Sequence, residues 1–539
     1  MKKSNFKKLV YMMLVFTAIM SCKKEKDKEE TELTKNYSEE ELYRPNFHFT
    51  PKSNWMNDPN GMFYFNGYYH LYFQYHPDSN VWGPMHWGHA TSTDMITWTE
   101  QPIALYPDDL GTIFSGSAVV DHNNSSGFGE TSDAIPIVAL YTNSKKLDED
   151  DNWKQTQSLA YSYDEGKTFT KYQNNPVIDN DEFKDFRDPK VTWDKERERW
   201  VMSLAVGDKI SFYSSENLKD WKYLSDFGQD IGGHGGVWEC PDLFQLPVLE
   251  TDKTKWVLLV SINPGGPNGG SATQYFIGDF DGTHFIIDEE FKQSLNNEHN
   301  YWIDFGRDNY AGVIWDNATR KDGSKLMMGW MSNWDYAQEV PTETWRSAMT
   351  IAREIQLKKD DNGYRLLFSP VKELLAYRAK KYKDKDMAIK GDTKIINGEK
   401  IDLASAEINF SISNLKPTSY TFKLSNSNGD KLLFGYDHAQ KTFYINRQES
   451  GKTAFSEKFA NTISTAPRTS DNETLSGTIL LDKTSIEIFY DNGETVMTEI
   501  FFPSAPYDNL SIGNEDDEFI LDSIEVNELK FNPNYSLEK

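Results

Sequence analysis

Between about residue 45 and residue 355 the chain breaks into short apolar or aromatic runs, with almost no long helical periodicity. Tyr68-Tyr69-His70-Leu71-Tyr72-Phe73, Ile137-Val138-Ala139-Leu140-Tyr141 and Lys255-Trp256-Val257-Leu258-Leu259-Val260 are examples. Such runs, bounded by Gly, Pro, Asn and Asp, predict strands separated by turns. A weak repeat groups them. An acidic or polar turn precedes an aromatic by a few residues at Thr93-Asp94 to Trp98, Asp164-Glu165 to Phe169, Glu216-Asn217 to Trp221 and Asp281-Gly282 to Phe285. The aromatics lie 71, 52 and 64 residues apart, the size of a four-stranded blade with decorated loops, and the region has room for about five such units. The pattern predicts an all-β domain, a five-bladed β-propeller over residues 45–355.

Residues 356–380 read as a connector, with one short helical stretch at Pro370-Val371-Lys372-Glu373-Leu374-Leu375-Ala376. From 381 to 539 the period changes to strict alternation, as in Ser419-Tyr420-Thr421-Phe422-Lys423-Leu424 and Thr484-Ser485-Ile486-Glu487-Ile488-Phe489-Tyr490. Half-buried strands have this period, and turns such as Asp491-Asn492-Gly493 join them into a predicted C-terminal β-sandwich. Its role is structural, since no carboxylate there sits in an aromatic-flanked turn.

The first residues follow other rules. Lys2, Lys3, Lys7 and Lys8 precede an apolar run from Leu9 to Ile19 that is too short for an ordinary membrane span. The run ends in Ile19-Met20-Ser21-Cys22, which resembles the lipobox of bacterial lipoproteins, where the cysteine carries the lipid. Residues 1–22 are then a signal peptide, Cys22 is the lipidation site, and 23–44 form a charged, solvated tether. The expected location is the cell envelope, lipid-anchored to a bacterial membrane. Only Cys22 and Cys240 are present among 539 residues, so a lipidated Cys22 leaves no disulfide, and Cys240 reads as a small packing residue behind Glu239. A net charge of −26 argues against nucleic acid and anionic membrane surfaces as partners.

Three acidic motifs carry the candidate chemistry. In Trp55-Met56-Asn57-Asp58-Pro59-Asn60-Gly61, Pro59 holds Asp58 out of helical geometry and Gly61 lets the chain turn. Asp58 is either the acceptor of an Asx-turn closing a hairpin or a nucleophile aimed by the backbone. Phe186-Arg187-Asp188-Pro189-Lys190 repeats the proline lock, with an arginine alongside to hold the carboxylate ionised or grip a hydroxyl. Trp238-Glu239-Cys240-Pro241-Asp242 sets a glutamate between apolar neighbours, an environment that raises a carboxyl pKa toward general-acid duty. The spacings of 130 and 51 residues are near two blades and one blade, so the three acids should converge at one mouth of the propeller. His76, His86 and His89 lack the carboxylate or cysteine spacing of a metal site, so no metal and no cofactor is expected.

In this order, the three motifs resemble the signature blocks of glycoside hydrolase family 32, the invertase, inulinase and levanase group. The resemblance extends through Phe114-Ser115-Gly116-Ser117, Ser261-Ile262-Asn263-Pro264-Gly265-Gly266-Pro267 and Gly329-Trp330-Met331-Ser332-Asn333-Trp334, over roughly residues 45–535. It implies the same propeller fold and a retaining hydrolase of β-fructofuranosyl linkages. Asp58 would be the nucleophile, Glu239 the acid and base, and Asp188 the stabiliser of the transition state. Asn57, Gln74, Trp82, Phe114, Ser115, Arg187 and Trp334 would hold the terminal sugar of a fructan or fructo-oligosaccharide. Exo-acting release of fructose is the expectation. The alternatives are an endo-acting levanase or inulinase and, from another class, a non-catalytic surface fructan-binding lipoprotein.

Overall fold

The computed structural model describes residues 38–531 apart from 130, 132–133, 149–151, 398–400 and 515–517. Cys22 and tether residues 23–37 therefore lie outside the described residues. Five antiparallel sheets follow one another in sequence. Their innermost strands are Asn54–Phe65, Thr112–Val120, Phe186–Asp194, Val237–Pro247 and Tyr310–Ile314. In each of the first four sheets the next three strands are added outward in chain order, as antiparallel hairpins allow. The innermost strands pack each against the next, and the fifth returns to the first, so the sheets close into a five-bladed propeller. Trp345–Arg346 adds in parallel to Asn54–Phe65 and stitches the end of the ring to its beginning.

The turn repeat marks the link between third and fourth strands of the first four blades. Its physical basis is a side-chain acceptor for turn amides. Asp94 Oδ1 accepts from the N–H of Ile96 and Thr97, both at 2.9 Å. Asn217 Oδ1 accepts from Lys219 and Asp220, and Asp281 Oδ1 from Thr283 and His284. The following tryptophan closes the same turn, because Trp98 and Trp221 donate Nε1–H to the carbonyls of Met95 and Leu218.

Two boundaries are corrected. Glu39–Tyr43 forms a short helix with Leu42 and Tyr43 buried, so the last part of the stretch read as a solvated tether is folded. Arg353–Asp360 and Gly363–Pro370 are the two outer strands of the fifth blade, so much of the stretch read as a connector belongs to the propeller. The link itself is the short 3-10 helix Lys372–Tyr377. The charged alternation of Arg353–Asp360 masked its place in the sheet.

Beyond it, two six-stranded sheets face each other as a sandwich, with Phe422 stacked on Phe434 and Phe410 tilted against Phe422 in the core. Propeller and sandwich belong to one compact unit, Tyr43–Lys539. Fully buried ion pairs join them. Arg353 of the fifth blade reaches Glu487 at 2.5 Å and Asp304 at 2.9 Å, while Arg447 of the sandwich reaches Asp308 at 2.5 Å and Glu499 at 2.7 Å. His48 sits between Asp482 at 2.9 Å and Glu487 at 2.8 Å. Charges this deep persist only when paired, so removing one partner strands the other.

Candidate active site

The innermost strands are all interrupted at one level. Pairing slips between Met56 and Pro59, Ile113 and Gly116, Glu239 and Asp242, and Tyr310 and Val313; in the third blade the slip lies opposite Arg187–Lys190. A bulge bends a strand and re-aims the side chains beside it. Asp58, Ser115, Asp188, Glu239 and Tyr310 all sit at these five slips. The expected turn at Asp58 is thus corrected to a doubly bulged strand. Prolines 59, 189 and 241 are tolerated there because the ladder is already broken. Asp188 at φ 64° and Cys240 at φ 45° occupy the left-handed region, a conformation that costs about 1–3 kcal/mol per residue and is held by the packing around it. Gly61 at φ 50° is required outright, since a Cβ would lie 2.7 Å from Trp87.

The acids meet as the blade spacing predicts. Asp58 is buried and accepts from Ser115 Oγ at 2.7 Å on one oxygen and from Asn57 Nδ2 at 3.0 Å on the other. Asn57 is aimed in turn by Trp55 Nε1 at 2.7 Å. Asp188 accepts from the Cys240 N–H at 3.0 Å, and the Cys240 thiol lies 3.6 Å from both Asp58 and Asp188. Burial raises the Asp188 carboxyl to about 7; Arg187 opposes the rise, and the nearby Glu239 and Asp58 carboxylates add to it. Glu239 accepts from Arg187 Nε at 3.1 Å on one oxygen and from the Tyr310 hydroxyl on the other. Burial first, and Glu239 second, raise the Tyr310 phenol well above its ordinary value, so it remains a donor.

Two local expectations are corrected. Arg187 pairs with Glu239 and with Asp185 at 2.6 Å, while its charge still favours the ionised form of Asp188 beside it. Because strand alternation turns adjacent side chains to opposite faces, Trp238 packs into the core against His234 and Phe276 and does not flank the Glu239 carboxylate. Cys240 faces the two aspartates, not the back of Glu239, because its positive φ swings the side chain toward them.

A cavity of about 310 Å³ opens over this network, and all ten residues read as catalytic or sugar-holding line it. Asn57, Asp58, Gln74, Trp82, Phe114 and Ser115 come from the first two blades, and Arg187, Asp188 and Glu239 from the third and fourth. Trp82 and Phe114 meet edge to face at 6.1 Å. Trp334 reaches the cavity while stacked on Trp55 at 5.8 Å, so it serves core and wall together. Gln74 is anchored to the Ile113 carbonyl at 3.1 Å. The sequence reading missed Tyr310, Trp153, Gln155, Lys184 and Asp185. A signal existed for Tyr310, which follows Glu239 by 71 residues, one blade on.

A propeller that gathers ionisable carboxyls and hydrogen-bonding side chains in one wet, aromatic-walled pocket belongs to the class of carbohydrate-cleaving hydrolases. Residues 48–370 match the Glycosyl hydrolases family 32 N-terminal domain and residues 373–528 the Glycosyl hydrolases family 32 C terminal domain. The chain belongs to glycoside hydrolase family 32 and is an enzyme of that family, as its three motifs implied. It is 45% identical to a levanase of Bacillus subtilis strain 168 over 508 residues, covering 94% of this chain and 72% of the relative. It is 39% identical to an extracellular exo-inulinase of Aspergillus niger, covering 87% of this chain and 91% of the relative. Among solved structures, exo-inulinase from Aspergillus awamori superposes with a TM-score of 0.82 at 35% identity, covering 92% of this chain and 99% of that one. A fructofuranosidase variant from Schwanniomyces occidentalis complexed with fructosylnystose does so at 0.82 and 36%, covering 93% and 100%.

Proposed function

We propose that the protein is a retaining β-fructosidase that releases fructose from the non-reducing ends of fructans. The observation that carries this reading is the meeting of Asp58, Asp188 and Glu239 in one cavity, with Asp58 and Glu239 held by separate sets of donors. Separate environments suit separate roles. Asp58, steadied by Ser115 and Asn57, attacks the anomeric C2 of the terminal fructosyl unit. The C2–oxygen bond to the rest of the chain breaks as Glu239 gives its proton to the departing oxygen. Glu239, now a carboxylate, takes a proton from water, which attacks C2 and frees Asp58. Asp188 hydrogen-bonds ring hydroxyls and steadies the oxocarbenium-like transition state. Gln74, Trp82, Phe114, Arg187 and Trp334 complete the sugar's surroundings with amide, guanidinium and ring surfaces.

Similarity to the levanase and to the exo-inulinases supports fructan as the substrate class. The modest cavity supports exo action, because it suits a chain end. Incubation with levan, inulin and sucrose, with products followed over time, tests the reading. Fructose alone is the expected product, and early oligosaccharides would make the enzyme endo-acting. Asp58→Ala and Glu239→Ala should each cost at least about 100-fold; parent-rate fructose release by either would overturn the assignment and leave a binding role. The Ile19-Met20-Ser21-Cys22 run supports lipid anchoring at Cys22 and a place in the bacterial cell envelope.

A further inference from the structure

Trp334 lines the catalytic cavity without sitting on a strand. It lies in the loop 332–344, between the fifth-blade strand Lys325–Met331 and Trp345–Arg346, and a loop residue keeps one position only if something else holds it. The propeller supplies part of the hold. Trp334 N–H donates to Ser271 Oγ at 3.2 Å, its ring lies against Trp55 and Trp330 at 5.8 and 4.9 Å, and Asn333 Nδ2 donates to the Arg307 carbonyl at 2.7 Å. The next two residues, Asp335 and Tyr336, are gripped from the other domain. Residues 447–463, between the sandwich strands Thr442–Asn446 and Ser464–Pro467, reach across to them. Lys458 Nζ pairs with one oxygen of Asp335 at 2.8 Å, while Arg307 Nη2 takes the other at 3.1 Å. Arg307 also donates through Nη1 to the Lys458 carbonyl at 2.5 Å, so one guanidinium ties loop and sandwich together. Phe459 meets the Tyr336 ring edge to face at 5.1 Å, and Arg447 Nη2 donates to the Tyr336 hydroxyl at 2.7 Å.

We propose that this segment of the β-sandwich is a positioning element for the sugar pocket. Lys458, Phe459 and Arg447 fix the loop that carries Trp334, so the C-terminal domain sets how tightly the terminal sugar is held. The role rests on the β-fructosidase reading, in which Trp334 is a wall for that sugar, and it gives the sandwich a part in recognition beyond the structural one its sequence implied. A wall that is already immobile costs little to order when the sugar arrives, whereas a loose one must be ordered by the sugar at the expense of affinity. That cost falls on binding. The donors that hold Asp58 and Glu239 lie outside the loop, so ground state and transition state lose the same contact, which raises KM and leaves kcat in place.

The test reads kcat and KM separately on a fructo-oligosaccharide for the full-length parent and its variants. Asp335→Asn loosens both grips on the carboxylate and should raise KM by about five- to tenfold, the cost of ordering one side chain, with kcat little changed. The Lys458 side chain is 61% exposed, so Lys458→Ala keeps the fold; it should raise KM about threefold, as loss of an exposed ion pair allows. Lys458→Arg should restore the parent KM. The double variant Lys458→Ala/Asp335→Asn should be no worse than Asp335→Asn alone, because both changes remove one contact. Lys358→Ala is the control: it breaks the 2.7 Å pair with Glu494, which also joins propeller to sandwich but involves neither the loop nor residues 447–463, and should leave KM unmoved even where it lowers the melting temperature. An unchanged KM in Lys458→Ala and Asp335→Asn, a fall in kcat in place of the rise in KM, or an equal rise in Lys358→Ala would overturn the inference while leaving the hydrolase reading intact. A parent enzyme that releases no fructose from the oligosaccharide would overturn both.

Discussion

Tyr310→Phe isolates one oxygen in the site. The tyrosine is buried, its ring packs edge-on to Trp330 at 6.4 Å, and its hydroxyl donates to Glu239. In the proposed mechanism Glu239 surrenders its proton to the leaving oxygen, and negative charge grows on the carboxylate. A hydroxyl already aimed at that oxygen stabilises the charge without reorganising. Arg187 continues to serve the other oxygen at 3.1 Å, so the variant removes one of two donors. A hydrogen bond to a charged group is worth about 2 kcal/mol, or roughly thirtyfold in kcat/KM. The ring and its packing stay, and the melting temperature should move by no more than about 3 °C. The assay compares a fructo-oligosaccharide with β-fructosyl fluoride, whose leaving group departs with little need of a proton. The oligosaccharide should show the thirtyfold loss and the fluoride almost none. Equal losses on both substrates would place the effect of Tyr310 elsewhere than proton donation, and an unchanged oligosaccharide rate would refute the coupling altogether.

Other consequences concern pH and anchoring. Asp188, raised by burial to about 7, holds a proton in the folded state that the unfolded chain releases near pH 4. Its contribution to stability is therefore present below about pH 4 and lost as pH rises through 7. Asp188→Asn should flatten the melting curve over that window and cut hydrolysis at least about 100-fold, and an unflattened curve would contradict the account. His48 has the same sign in a higher window. Burial alone would lower it, but hydrogen bonds to Asp482 and Glu487 outweigh burial and lift it to about 9. Stability from His48 is fully present below about pH 6.5 and lost as pH climbs through 9. Urea unfolding of His48→Gln should show about 3–5 kcal/mol lost at pH 7 and a flatter response from 7 to 10. Finally, the parent should enter the detergent phase of a Triton X-114 extract and Cys22→Ser the aqueous phase, an idea that fails if the parent stays aqueous.

The propeller was legible because its causes are local. Asp94, Asp164, Asn217 and Asp281 each bind amides of their own turn, so the repeat is written in neighbouring residues. Asp58 and Asp188 were legible for a similar reason, since proline restricts the residue before it wherever the chain goes, and Glu239 stood out by the aromatic and the cysteine on either side of it. Their convergence followed from blade spacing and geometry. The outer strands of the fifth blade were missed because the charged positions of Arg353–Asp360 alternate with the buried Ile355 and Leu357, so its composition reads like a linker.

What sequence alone determined was the alphabet of the site: strands, turns, and two aspartates kept from helical geometry by the prolines after them. Partnership was decided by tertiary structure. Arg187 faces Glu239, Cys240 lies between two aspartates, and Tyr310 arrives from a fifth strand only because five bulges fall at one level around the axis. A bulge is a property of two paired strands and a ring of blades is a property of all five. Neither can be read from one segment, because register is set by what packs on the opposite face.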